Sequence, residues 1–339
     1  RVFMTTIQHF GRAENHWEDT LEDLTPVEEE AGLVFKREDK FAPLGYGCIN
    51  GSKLRQLIYL INLYRNRGGQ RGILSGASVH SPQLSMGTAV ANHYGLPSTH
   101  VIGATTPEAS MKHLDVEMAT MLGAEFVYSK VAYNTALQSK VQKLLQTPEY
   151  QGYFYLEYGV TLNHWTHRAG AIEDFHWVGA QQVQNIPECE NLIIPSGSCN
   201  SLVSILYGLA IYRPKVRNII LVEIGPNRRD WVKDRLICIN TALKPTLVNM
   251  NVPQVLEDGY NVEYHDLHTS KYVGYQDTMK YQHGDIEFHP RYEGKVMTYL
   301  ADRRPDLLSP DNVIWVIAGE GKRERFVEAI RRHEEMVAV

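Results

Sequence analysis

Most of the features that would assign this chain at a glance are missing from it. It has four cysteines (Cys48, Cys189, Cys199 and Cys238), widely spaced and with no CxxC pair. That pattern suits neither a zinc ribbon nor a disulfide framework, and the expectation is reduced thiols in a cytoplasmic protein. No apolar run reaches the length of a membrane span, and the opening RVFMTTIQHF lacks the apolar core of a signal peptide. The net charge is −5, so no global basic field is available to attract nucleic acid. Local clusters at Arg228-Arg229, Arg303-Arg304 and Lys322-Arg323-Glu324-Arg325 could touch phosphates, but read more simply as solvated surface. There is no repeat, no Walker A GK[ST] and no GxGxxG. Among 14 histidines, His164 and His167 could share a helix face. They lack carboxylate or cysteine companions at ligand spacing, so no metal site is expected.

What is present is an ordinary globular composition, 43% hydrophobic and 22% charged over 339 residues. Short β-type runs alternate with helical stretches. RGILSG, STHVIGA, AEFVYS and GYFYLEYG read as strands. Between them, residues 82–94, 107–122 and 134–145 have helical spacing, and Gly95 and Gly123 close the first two. A second set follows. ECENLIIPSGSCNSLVSILYGLAIYR is strand, loop and helix, and VRNIILVEIG and NVIWVIAGEG are buried strands. Repeated βα units predict an α/β protein of three-layer αβα type in two lobes. The smaller is expected at 54–159, and the larger at 1–53 plus 160–339.

Four segments could carry chemistry. Pro195-Ser196-Gly197-Ser198-Cys199-Asn200-Ser201 joins a strand to a helix that begins near Leu202. Small residues leave backbone N–H groups free, and the helix start adds partial positive charge, so a phosphate monoester fits. Alone, the loop is more often a capped helix. Asn50-Gly51-Ser52-Lys53 delivers a lysine to the start of an apolar helix, where positive charge is disfavoured. That mismatch lowers the amine's pKa and favours a nucleophile, although a surface lysine is the commoner case. Arg291-Tyr292-Glu293-Gly294-Lys295-Val296-Met297 sets a tyrosine, a carboxylate and a lysine side by side at an element boundary, which alone reads as a solvated turn. Ser75-Gly76-Ala77-Ser78-Val79-His80-Ser81-Pro82-Gln83 ends a strand and opens a helix. It could hold a substrate carboxylate or be a serine-capped loop.

In this order the segments resemble the fold-type II pyridoxal-phosphate (PLP) enzymes, of the tryptophan synthase β-like fold. The nearest pattern is the 1-aminocyclopropane-1-carboxylate deaminase and D-cysteine desulfhydrase family. Thr25-Pro26-Val27 resembles that family's opening, and Lys36-Arg37-Glu38-Asp39 its KRDD strand end. NGSKLRQL at 50–57 is similar to GGNKxRKL, RYEGKVM at 291–297 to VYEGKxM, and AGEG at 318–321 to HTGG. The resemblance implies PLP held as a Schiff base by Lys53, with Glu293 at the pyridine nitrogen and Tyr292 at the substrate. It places the cofactor phosphate at Ser196, Gly197, Ser198, Cys199, Asn200 and Ser201. It puts Ser81 on the family's active-site serine, with Ser78 and His80 beside the substrate. Pro82 falls where an asparagine contacts the cofactor's 3′-oxygen, a contact that Gln83 could take over. A second substrate tyrosine falls on Tyr272, with Tyr275 as the other candidate. A homodimer is also implied.

An acidic partner keeps a pyridine nitrogen protonated and makes a deep electron sink. Three readings follow. The first is a deaminase or lyase acting at Cα of a small amino acid. The second is a decarboxylase or rearrangement enzyme whose amino acid is attached to a larger molecule, such as a modified nucleobase in DNA. The third is a non-catalytic protein that keeps the fold for binding.

Overall fold

The computed structural model describes residues 21–338. Residues 1–20, the start of the expected larger lobe, lie outside the described residues. Two parallel sheets dominate. The first has six strands in the order β1-β2-β12-β7-β8-β9. These are β1 (Val27–Glu30), β2 (Leu33–Arg37), β7 (Cys189–Ser196), β8 (Val216–Glu223), β9 (Asn261–Asp266) and β12 (Val313–Val316). All neighbours run parallel except the β1–β2 hairpin. The second sheet is fully parallel, in the order β5-β4-β3-β6. It comprises β3 (Ile73–Gly76), β4 (Ser98–Gly103), β5 (Glu125–Ser129) and β6 (Phe154–Leu156). A small antiparallel pair, β10 (Gln282–His283) and β11 (Ile286–Glu287), stands apart.

The central strands are apolar on both faces, as strands covered by helices on each side must be. Ile193, Ile220, Val222, Ile314 and Val316 are buried with Phe35 and Met297. On the opposite face α7 (Asn200–Tyr212) packs against α6 (Ala169–Ala180), and α7 is buried on nearly every side. This explains its continuous apolar run, which has little amphipathic period. The other crossover helices include α2 (Gln83–His93), α5 (Asn134–Leu145), α8 (Arg229–Asn240) and α9 (Val252–Gly259). No helix among the described residues is long and apolar enough to cross a membrane.

Helix α1 (Ser52–Asn66) carries Lys53 and is pinned by charge. Arg55 is fully buried, 3.7 Å from Glu38 and under the ring of Phe41, and it donates to the Leu21 carbonyl. Glu38 also accepts from Trp315 Nε1 at 2.5 Å. Lys36 reaches the Thr25 carbonyl and Asn185, each at 2.8 Å. The Lys36–Asp39 segment therefore ties β2 to β12 and α1.

One expected helix, 107–122, is broken into α3 (Pro107–Ser110) and α4 (Leu114–Met121). His113 is extended there, at φ −94° and ψ 125°. The break turns Lys112 and His113 into a cavity.

Candidate active site

Lys53 stands at the carboxyl end of β12. Ser52 N–H donates to the Ile317 carbonyl at 3.0 Å, and Asn50 Oδ1 accepts from Gly319 N–H at 2.8 Å. Gly51 makes this approach possible. Its φ is +98°, and a Cβ there would stand 2.4 Å from Ile317 O. Gly51→Ala is therefore expected to destabilise the fold by about 1–3 kcal/mol from backbone strain alone, and further through the clash. A thermal melt of the two apoproteins reads this directly. Burial lowers the Lys53 pKa to about 8, against the pull of Glu293 and with help from Arg228. Lys53 Nζ lies 5.8 Å from the ring centre of Tyr292.

Glu293 opens α10 (Glu293–Arg303) and is buried. Its Oε1 accepts from Ile317 N–H at 2.9 Å and Ala318 N–H at 3.2 Å. Its Oε2 is equally buried and has no hydrogen-bond partner among the described residues. Burial raises this carboxyl to about 8, although the backbone donors oppose the rise. Tyr292 packs on His289, ring centres 4.5 Å apart. Burial holds the phenol above its ordinary value and lowers His289 to about 3.

Between β7 and α7 the chain turns through Cys199, which is left-handed at φ +73°. Among the described residues, the N–H groups of Gly197, Ser198, Cys199, Asn200 and Ser201 find no acceptor within the chain. Buried amides are rarely left so. Gly197, Ser198, Cys199 and Ser201 line the same cavity as Lys53, Tyr292 and Glu293. Its volume is about 380 Å³. Gly197 and Ser198 also border a second pocket with Arg228, Arg229, Trp231, Tyr158 and Tyr275.

Several expected contacts are not made. The Asn200 amide is turned away, bonded to Gly159 O at 3.1 Å and Thr161 Oγ1 at 2.8 Å, so only its backbone serves the loop. Ser196 Oγ meets the Cys199 thiol at 3.3 Å. Gln83 does not take over at Pro82. Its side chain is spent on Gly159 N–H at 3.2 Å and Leu156 O at 3.4 Å. Ser81 Oγ accepts from Gln83 N–H at 3.2 Å and Ser78 Oγ from His80 N–H at 3.3 Å, both local turn contacts. Neither serine lines the cavity, whereas His80 does. Tyr272, expected at the substrate, does not line the cavity. It packs on Tyr299 and donates to Asp302 at 3.0 Å, away from the cavity. Tyr275 is the nearer tyrosine, bonded to Tyr158 OH at 3.0 Å beside Ser198.

Sequence reasoning passed over Asp115, Ser85 and His113, took Arg228 for solvated surface and gave Arg291 no role of its own, yet all five line one of the two pockets. For Arg228 a signal existed. It follows β8 and the Gly225-Pro226 turn, at the same sheet edge as the Ser196–Ser201 loop. In open α/β sheets ligands bind at that edge. Asp115 offered no such signal, since it lies within an expected helix.

The residues fit PLP on their own chemistry. A protonated pyridine nitrogen is the donor that Glu293 Oε2 lacks. A phosphate monoester is the acceptor that the Gly197–Ser201 amides lack. A lysine with a lowered pKa is the amine that an aldehyde needs.

Comparison with known proteins agrees. No family model matches the chain. The O-seryl-dTMP PLP-dependent decarboxylase of Salmonella phage ViI is 39% identical, over 90% of this chain and 84% of that protein. Among solved structures, an ACC deaminase homologue superposes with a TM-score of 0.66 at 17% identity, covering 97% of this chain and 98% of the other. The processed form of threonine deaminase isoform 2 from Solanum lycopersicum gives 0.54 at 12% identity, covering 91% and 87%. These structural likenesses establish the fold. With the phage relative they place the chain: it is a pyridoxal-phosphate-dependent enzyme of fold type II and belongs to the family of that decarboxylase.

Proposed function

We propose that this enzyme decarboxylates an amino acid carried on a nucleotide, a serine joined through oxygen to a thymidine nucleotide. The 39% identity to a relative named for that reaction carries the reading. The deaminase-type structures share 17% or less. The cavity supports it too, since beyond Tyr292 it continues to His80, Lys112, His113 and Arg291.

When bound, the cofactor supplies an electron sink for the pair left on Cα as carbon dioxide departs. The chain's residues do the rest. Glu293 Oε2 accepts the pyridine N–H and keeps the proton there. The Gly197–Ser201 amides take the phosphate. Lys53 Nζ holds the cofactor before substrate arrives. Once released, it carries the proton that takes the carboxyl group's place at Cα. Its pKa near 8 lets it exchange that proton near neutral pH. Tyr292, kept neutral, is a second O–H at the same face.

The test is product analysis of the purified holoenzyme with O-seryl-dTMP. Carbon dioxide and an amine that keeps its nitrogen are expected. Ammonia and an oxoacid would return the deaminase reading to first place.

Arg228 supplies a second expectation. It stacks on Trp231 at 4.4 Å and borders Ser198, and its charge adds to the burial that lowers the Lys53 pKa while opposing the burial that raises the Cys199 thiol. A guanidinium so placed favours the cofactor's phosphate dianion. Arg228→Ala should weaken cofactor affinity about 10- to 100-fold, the worth of one charge-assisted hydrogen bond. Arg228→Lys should recover part of it. Titration of apoprotein with PLP, followed by absorbance, measures both.

A further inference from the structure

The arm of the cavity beyond Tyr292 holds groups that neither the cofactor nor the chemistry at Cα uses. Among them is Asp115, in the first turn of α4. Ser85 Oγ donates to Asp115 Oδ1 at 2.6 Å. Among the described residues, Oδ2 has no donor. Burial raises this carboxyl to about 6, against the Ser85 bond and the charge of Arg291, so it is an acceptor at neutral pH.

Donors surround it. The charge of Arg291 acts on Asp115, His80 and His113 alike. Arg291 uses Nη1 on the Gln276 carbonyl, which leaves the rest of its fork unengaged among the described residues. His80 and His113 meet edge to face at 4.5 Å, and burial holds both below the ordinary histidine pKa. Each is then neutral at pH 7, with one N–H to donate. Val79, Met86, Leu114 and Met118 supply apolar wall.

An acceptor flanked by donors between apolar walls is complementary to a cyclic imide, which presents carbonyl, N–H and carbonyl in a row. Thymine has that edge. Cytosine sets a ring-nitrogen lone pair where thymine has N–H, and a carboxylate repels it. Other occupants fit less well. A substrate carboxylate would face Asp115 as a second anion, and the substrate's α-amine is engaged at the cofactor. We infer that this arm is a base-reading subsite. In it Asp115 accepts the N3–H of a thymine-type base while Arg291 and His113 donate to its carbonyls. The amino acid must then be joined on the methyl side of the ring, leaving the imide edge free.

This inference rests on the nucleotide-borne substrate proposed above, but its test does not need turnover. The probes are dTMP, its N3-methyl derivative and dCMP, titrated calorimetrically into holoenzyme, wild type beside Asp115→Ala. The wild type should bind dTMP, and N3-methylation or the change to cytosine should weaken binding about tenfold or more, the effect of one lost or opposed hydrogen bond. Asp115→Ala should bind the three alike, with its cofactor absorbance and melting curve showing an intact fold. Equal or absent binding of the three by wild type overturns the inference, as does a preference that survives in Asp115→Ala. Selective dTMP binding without carbon dioxide release from O-seryl-dTMP would sink the decarboxylase reading and leave this one standing. Carbon dioxide release without base preference would do the reverse.

Discussion

Lys53→Ala is expected to abolish turnover, by about 10⁴-fold or more, while leaving the fold intact. The size follows from two tasks lost together. The amine proposed to hold the cofactor goes, and so does the acid proposed to return a proton to Cα, and one such group alone is worth about 10²–10⁴-fold. The fold should survive because the Lys53 side chain meets the Tyr292 ring but makes no hydrogen bond among the described residues. The clamp at this end of α1 is made by Ser52 N–H, Asn50 and Gly51. The sign of the stability change is fixed by the lowered pKa. The folded state disfavours the ammonium relative to the unfolded chain, so the penalty grows as pH falls from 10.5 toward 8 and persists below. Alanine removes it, and the variant apoprotein should melt no lower than wild type at neutral pH. An absorption spectrum before and after borohydride gives the direct check. Wild type with PLP should show a visible band that reduction removes, and the variant should show none. A fully active Lys53→Ala enzyme would falsify the assignment.

How much of this could be read from the chain alone depended on whether a feature lives in the backbone or in the direction of a side chain. The βα alternation came through because strand interiors such as Leu192-Ile193-Ile194 are apolar on both faces, and Gly95 and Gly123 mark real left-handed helix ends. Lys53, Tyr292 and Glu293 were legible because each sits at an element boundary within an ordered set of motifs, and the structure brings all three to one cavity. The side chains of Asn200 and Gln83 turn away from the cavity for a shared reason. Both occupy the first turn of a helix beside the site, yet their amides satisfy the backbone at Gly159 instead. Sequence position sets where a Cα falls, and χ angles decide the rest. Tyr272 and Tyr275 lie three residues apart, and only the loop's path sends one to Asp302 and the other to Tyr158. Asp115 was hidden differently. The 107–122 pattern reads as one helix, and the break at His113 that opens the arm leaves no proline or glycine to mark it.

Glu293→Gln separates the carboxylate's electronic task from its structural one. Glutamine can keep Oε1 on Ile317 and Ala318 N–H while presenting an amide where Oε2 stood. That amide is a donor, so it suits an unprotonated pyridine nitrogen and cannot retain a proton there. Cofactor should still bind, through Lys53 and the Gly197–Ser201 amides, while kcat falls about 10²-fold or more, as expected when a proton is lost from its working position. Unchanged kinetics would mean that Glu293 does not face the pyridine nitrogen. The apoprotein gives a second, independent reading. The Glu293 pKa is raised from 4.5 to about 8 in the folded state, so the unfolded chain ionises first. Wild-type apoprotein therefore loses stability as pH rises from about 4.5 to about 8, by an amount on the order of a few kcal/mol. The glutamine variant has no such loss, and its advantage in urea unfolding should widen across that window. Bound cofactor should abolish the difference, because a pyridine N–H donated to Oε2 gives the buried carboxylate the partner it otherwise lacks. A gap that stays constant with pH, or one that persists in the holoenzymes, would break the link between this carboxylate and the cofactor ring.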